Sequence, residues 1–240
     1  MQINMETKSQ IKAFALYRLP HSAEIRLVRE EEQPVLSLDK ISRLDGIEGF
    51  VLAPFHITAE KPVVVIQGRH QAYVPGQTVL PECHFGTPTE SEHEGKESYE
   101  KDFCRFHNAL SQGRFGKLVL ARRCNVPGEG HISPESLFLD ACQRYPRMMI
   151  ALVSSAQSGT WLMATPETLL RGDGKTWHTM ALAGTMKLSE QELLSFDCPI
   201  GSPGKQPQWS TKNRAEQQLV ADYLARRLEM HSDTIIQQPT

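Results

Sequence analysis

Short apolar runs broken by proline and glycine fill the first part of the chain. Ile11–Tyr17, Glu24–Arg29, Phe50–Pro54 and Val63–Gln67 are of strand length, and Pro20, Pro34, Gly46, Gly49 and Pro75-Gly76 punctuate them. They predict a β-rich region over residues 1–86. Gly86–Ser98 is polar, carries several carboxylates and lacks apolar periodicity, so residues 87–98 read as an exposed connection. From Tyr99 the spacing becomes helical: Phe103, Phe106 and Leu110 share a face that ends near Gly113. A strand is expected over Lys117–Val126. Ser133-Pro134 then opens a helix, with serine as N-cap and proline in the first turn. Leu137, Phe138, Ala141 and Cys142 line one face of it, and it ends before Pro146. Met148–Ser154 and Thr160–Ala164 predict a hairpin closed by Ala156-Gln157-Ser158-Gly159. Glu167–Arg171 and Thr176–Ala183 flank the turn Gly172-Asp173-Gly174, and a last helix runs from Thr211 to about Met230. Hairpin-joined strands with irregularly placed helices do not make a repeating βαβα chain. The expected class is α+β, with largely antiparallel sheets and flanking helices, and residues 99–240 form its largest region.

Composition narrows the function classes. A chain of 240 residues with 40% hydrophobic content can bury a real core as one large or two small domains. The 26 Lys+Arg against 28 Asp+Glu leave no basic excess to neutralise phosphates, so nucleic acid is not an expected partner. The longest apolar run, Met148–Val153, is six residues, far short of a membrane span. Met1–Gln10 is polar and lacks an apolar signal core, which predicts a cytoplasmic protein. Cys83, Cys104, Cys124, Cys142 and Cys198 are odd in number, widely spaced and free of any C-x-x-C, as expected of reduced thiols. His84 and His93 lie near carboxylates without the spacing of a metal pair.

Four places offer chemistry, each with a plainer reading beside it. Lys117 opens KLVLARR, where alternation puts Lys117, Val119 and Ala121 on one face. It is either a solvated lysine at a strand end or, in a dry pocket that lowers its pKa, a general base. Glu167 in ATPETLL follows a fixed backbone at Pro166 and has apolar neighbours. It is either a helix-start carboxylate or a proton donor with a raised pKa. Glu216 heads the stripe Leu219, Val220, Tyr223, Leu224 and Arg227/Leu228. A carboxylate on that side needs a cation, for which Mg2+ is suited, or it reaches solvent or Arg214. Gly184-Thr185 ends TMALAGT and is either a turn or a set of donors for a substrate carboxylate. Nucleotide-loop, zinc-protease and nucleophile-elbow patterns do not occur.

In order, the four elements read KLVLAR, ATPETLL, TMALAGT and KNRAEQQLVADYL. Together they resemble the chorismate-utilising enzyme family, and within it the isochorismate synthases of the menaquinone type. The likeness covers residues 99–231, and GFVLAPF at 49–55 resembles the N-terminal part of the same enzymes. The fifty-residue separation of Lys117 and Glu167 fits the base-to-acid spacing of isochorismate synthases. The resemblance implies the antiparallel α+β fold shared by anthranilate and aminodeoxychorismate synthases, with chorismate as substrate. It implies Lys117 as the base that activates water for addition at ring C2. Glu167 would be the acid that protonates the departing C4 hydroxyl. Glu216 would be a ligand of the Mg2+ that binds the ring carboxylate, and Ala183, Gly184 and Thr185 would line the site near that carboxylate. Lys117 points to water as nucleophile, and Ala183 stands where aminodeoxychorismate synthases tend to carry lysine.

The chain departs from its relatives at Thr168, usually arginine, and Met163, often glycine. Gln217 replaces a histidine and Asn213 an aspartate. Relatives continue beyond Thr240 into a part with a second metal-binding glutamate. The resemblance therefore implies a truncated, N-terminal portion, with a complementing C-terminal segment as partner. Two other readings stay open: a non-catalytic remnant or interaction module of the same fold, and a salicylate synthase, which adds pyruvate elimination. Menaquinone and catecholate siderophore routes both start from isochorismate.

Overall fold

A computed structural model describes residues 13–30, 34–85, 92–122, 133–187 and 209–231, with side chains from 96 in the helix that begins at 92. The chain forms two compact units, Met1–Thr165 and Pro166–Thr240. The sequence placed its boundaries at 86 and 98, whereas the units divide after Thr165 because strand pairing joins the N-terminal strands to the hairpin that ends there.

In the first unit, β1 (Phe14–Arg18), β2 (Ile25–Arg29), β6 (Gln71–Ala72), β7 (Met149–Ser155) and β8 (Gly159–Thr165) form an antiparallel sheet in the order β6-β2-β1-β7-β8. Leu16 sits opposite Leu27 on one side and Leu152 on the other. All five β1 residues are buried, which explains why its first four, FALY, run apolar instead of alternating. A second antiparallel sheet, β3 (Leu36–Leu38), β5 (Val63–Ile66) and β4 (Phe50–Leu52), has the order β3-β5-β4.

The pleat of β1 and β7 sorts the core into two sides. Ala15, Tyr17, Val28, Ala151 and Val153 pack with Ile66 of β5 and with Phe50 and Leu52 of β4. Phe14, Leu16, Leu27, Ile150 and Leu152 pack with Tyr73 and with Phe138 of α2 (Pro134–Arg144). The helix starts as expected: the Ser133 Oγ accepts from the Ser136 N–H, with Pro134 at the first position. Arg18 is buried at 4% exposure, and its guanidinium donates to the carbonyls of Tyr145 (2.6 Å), Pro146 (2.8 Å) and Met148 (2.8 Å). One buried cation thus shapes the α2–β7 connection. Cys83, Cys104 and Cys142 are free thiols, and burial pushes Cys83 and Cys142 up.

Two expectations are corrected here. Helix α1 spans Glu92–Ser111, so residues 92–98 of the expected connection are helical. Lys96 and Glu97 are good helix formers on a solvated surface, a propensity that an apolar-period search does not register. The helix stops as expected, at Gly113 with its φ of +67°. The strand expected over Lys117–Val126 is absent from its described part: residues 117–122 are irregular, and 123–126 lie outside the described residues. A strand persists only against a partner, and among the described residues no strand pairs with this segment.

In the second unit, β9 (Arg171–Gly172) and β10 (Trp177–His178) pair across the expected turn. The regular pairing is shorter than the predicted runs Glu167–Arg171 and Thr176–Ala183. Two further bonds continue it irregularly, from the Met180 N–H to the Thr168 carbonyl (3.2 Å) and from the Thr179 hydroxyl to the Leu169 carbonyl (2.7 Å). The Asp173 carboxylate accepts from the N–H groups of Thr176 (2.8 Å) and Lys175 (2.9 Å), which hold its pKa below the ordinary carboxylate value. The Trp177 ring lies across Gly172, where a Cβ would come within 2.3 Å of it. Helix α3 (Thr211–Leu228) follows, capped by the Ser210 hydroxyl on the Asn213 N–H (3.1 Å). No helix among the described residues is long and apolar enough to cross a membrane.

Candidate functional site

Lys117 belongs to the first unit, in the irregular stretch after α1, and is half-buried. Glu167, Ala183, Gly184, Thr185 and Glu216 all belong to the second. Glu167 follows Pro166 directly after the end of β8, in irregular chain, and is exposed; its apolar neighbours Leu169 and Leu170 are 89% and 55% exposed. No helix begins there, so the helix-start reading of Glu167 falls.

Within the second unit the segment 181–185 and α3 are brought together. The half-buried side of α3 carries Asn213, Glu216, Gln217, Val220, Leu224 and Leu228, at least one residue in every helical turn. Glu216 is on that side, as the sequence stripe predicted. Leu219 and Tyr223, also assigned to the stripe, are 40% and 53% exposed, so its axis is rotated toward Gln217.

Gln217 and Asn213 occupy the contact. The Gln217 Oε1 accepts from the N–H groups of Ala183 (3.0 Å) and Gly184 (3.4 Å), and its Nε2 donates to the Ala181 carbonyl. One turn earlier, the Asn213 Nδ2 donates to the Thr185 carbonyl (2.8 Å). A Cβ on Gly184 would lie 2.7 Å from the Asn213 carbonyl oxygen, so only glycine permits this approach. The expected strand over 179–183 gives way to chain whose polar groups pair with a helix. In the sequence Gln217 and Asn213 stand out only as departures from the relatives. Their signal was present: two amides one turn apart, on the same side as a half-buried glutamate.

The metal reading of Glu216 can be weighed on this donor set. Among the described residues no three His, Cys, Asp or Glu side chains gather around one point. These residues therefore build no all-protein cage. A half-buried single carboxylate fits Mg2+, which binds through one or two carboxylates and fills its remaining positions with water and substrate oxygens. An open cleft of about 430 Å³ lies elsewhere, in the first unit, bordered by Ser37, Asp39, Thr58, Glu60 and Gln157, and contains none of the candidate residues.

Antiparallel sheets with helices, and in the second unit a glycine-dependent helix contact at Ala-Gly-Thr, give the described residues an α+β architecture. Residues 65–240 match the family model described as chorismate binding enzyme. The chain belongs to that family. The match begins inside β5, so the central strand β1 lies outside the matched residues. No curated protein and no solved structure matches the chain.

Proposed function

We propose that the chain carries the water-adding site of an isochorismate synthase. The family match over 65–240 supports chorismate as the substrate, and the four motifs inside it, in the order the resemblance implies, are the observation that supports the finer reading. Anthranilate and aminodeoxychorismate synthases are poorer fits, because Lys117 and Ala183 follow the pattern of the water-using enzymes.

In this mechanism the Lys117 Nζ, as general base, takes a proton from water as the water oxygen bonds to C2 of chorismate. The ring double bonds shift and the C4–O bond breaks. Glu167 delivers a proton to the departing hydroxyl, which leaves as water. One water enters and one leaves, so the product is an isomer. Glu216 would hold Mg2+, which when bound supplies positive charge to the ring carboxylate. Ala183, Gly184 and Thr185 border that carboxylate and fix which carbon faces the base.

The test is conversion of chorismate, with Mg2+, by the full chain and by Lys117→Ala. Isochorismate from the former and a loss of at least about a hundredfold in the latter, with chorismate binding retained, is expected. Near-normal turnover by Lys117→Ala would overturn the base assignment. Pyruvate among the products would favour the salicylate synthase reading.

A further inference from the structure

We propose that Gln217 and Asn213 are positioning residues for substrate. They form a two-amide clasp that holds segment 181–185 to α3, so that the carboxylate-bordering backbone and the glutamate Glu216 move as one body. This rests on the chorismate reading above, and adds roles that the relatives' histidine and aspartate at these positions do not predict.

Three observations carry the clasp. Gln217 uses both ends of its amide on one strip of backbone, accepting from Ala183 and Gly184 and donating to Ala181. Asn213 takes the next carbonyl along, that of Thr185, at 2.8 Å. Gly184 leaves no room for a side chain between strip and helix, since a Cβ there would lie 2.7 Å from the Asn213 backbone carbonyl oxygen. An uncharged amide suits this task. It offers an acceptor and donors at once, whereas a carboxylate could only accept and an ammonium only donate.

The clasp has a chemical consequence. The N–H groups of Ala183 and Gly184 point to Gln217 and are committed to it. They set the position of Thr185 and do not themselves bind the substrate carboxylate. Recognition in this strip therefore falls to Thr185, whose N–H and hydroxyl are the donors at its end.

The experiment uses the full chain and two variants. Gln217→Met keeps the length of the side chain and removes all three hydrogen bonds. Gly184→Ala keeps Gln217 and forces the strip from the helix. Amide hydrogen exchange of residues 181–185 should speed up by about tenfold or more in both, with exchange in β1 and β7 unchanged. Chorismate titrated into the chain with saturating Mg2+ should bind about tenfold more weakly in both variants, at an unchanged thermal midpoint. Unchanged exchange in Gln217→Met would overturn the clasp. Faster exchange with unchanged chorismate affinity would overturn the positioning role and leave a purely structural contact. If the parent chain fails to bind chorismate, the functional reading fails and takes the positioning role with it. The exchange measurement still decides whether the clasp exists.

Discussion

The two units hold their shape by different means. In the first, both sides of β1 and β7 are covered, and Phe14, Leu16, Ile150, Leu152, Val153 and Phe138 are completely buried. In the second, no described side chain is fully buried, and Trp177, Leu169 and Tyr223 stay largely exposed. Its contacts are polar: the Asp173 turn, the Ser210 cap and the amides of α3. Burial of an aliphatic or aromatic side chain is worth about 1.5–3 kcal/mol, and a net hydrogen bond about 1 kcal/mol. The first unit is therefore expected to open only with the whole fold, and the second locally. All of the candidate site residues except Lys117 sit in the unit with the less buried contacts.

This contrast can be broken at graded points. The largest effect belongs to Phe138→Ala, which opens a cavity against the sheet and should cost about 3–5 kcal/mol in urea unfolding. A loss below about 1 kcal/mol would mean that α2 does not seal the core. Arg18→Met comes next. It removes three guanidinium bonds; the Tyr145 and Pro146 carbonyls keep the N–H groups of Met148 and His21, the Met148 carbonyl loses its guanidinium donor, and the change should cost about 2 kcal/mol by the same assay. Stability within about 0.5 kcal/mol of the parent would show that water replaces the guanidinium.

A smaller, pH-dependent effect comes from Tyr73. Burial, with the hydrogen bond that its hydroxyl donates to Glu135, pushes its pKa above the ordinary tyrosine value of 10.0. The raised folded value favours the neutral phenol. Its contribution is complete below the unfolded pKa near 10 and is lost as pH rises toward the folded value. Tyr73→Phe should cost about 1 kcal/mol at neutral pH and flatten the alkaline decline; equal alkaline slopes would remove Tyr73 from that decline. The smallest effect is at Asp173, which is fully solvated. Its lowered pKa gives a contribution present above the ordinary 3.8 and lost as pH falls through the folded value. Asp173→Ala should leave the global transition in place and speed exchange only at residues 175 and 176. A shift of the global transition would show that the second unit is not energetically separate.

Much of this architecture was legible because local chemistry and tertiary packing agree. Ser133-Pro134, Gly113, the 156–159 turn and the Thr211 helix each have a local signal that the fold uses. The two missing strands have one cause. The segments 117–122 and 179–183 read as strands, but a strand needs an edge to pair with, which no local pattern reveals. Helix 92–98 failed in the opposite way, since it forms without an apolar stripe. In the candidate site, Glu216 was readable from helical spacing. The Gln217 contact was not, because polar residues announce their partners only in three dimensions.

The central claim is addition of solvent water to chorismate. It is tested most directly by supplying chorismate and Mg2+ to the full chain in heavy-oxygen water and weighing the product. The account predicts isochorismate with one solvent oxygen, retained through purification, and none from Lys117→Ala. Isochorismate without solvent oxygen, or chorismate recovered unchanged, would contradict it.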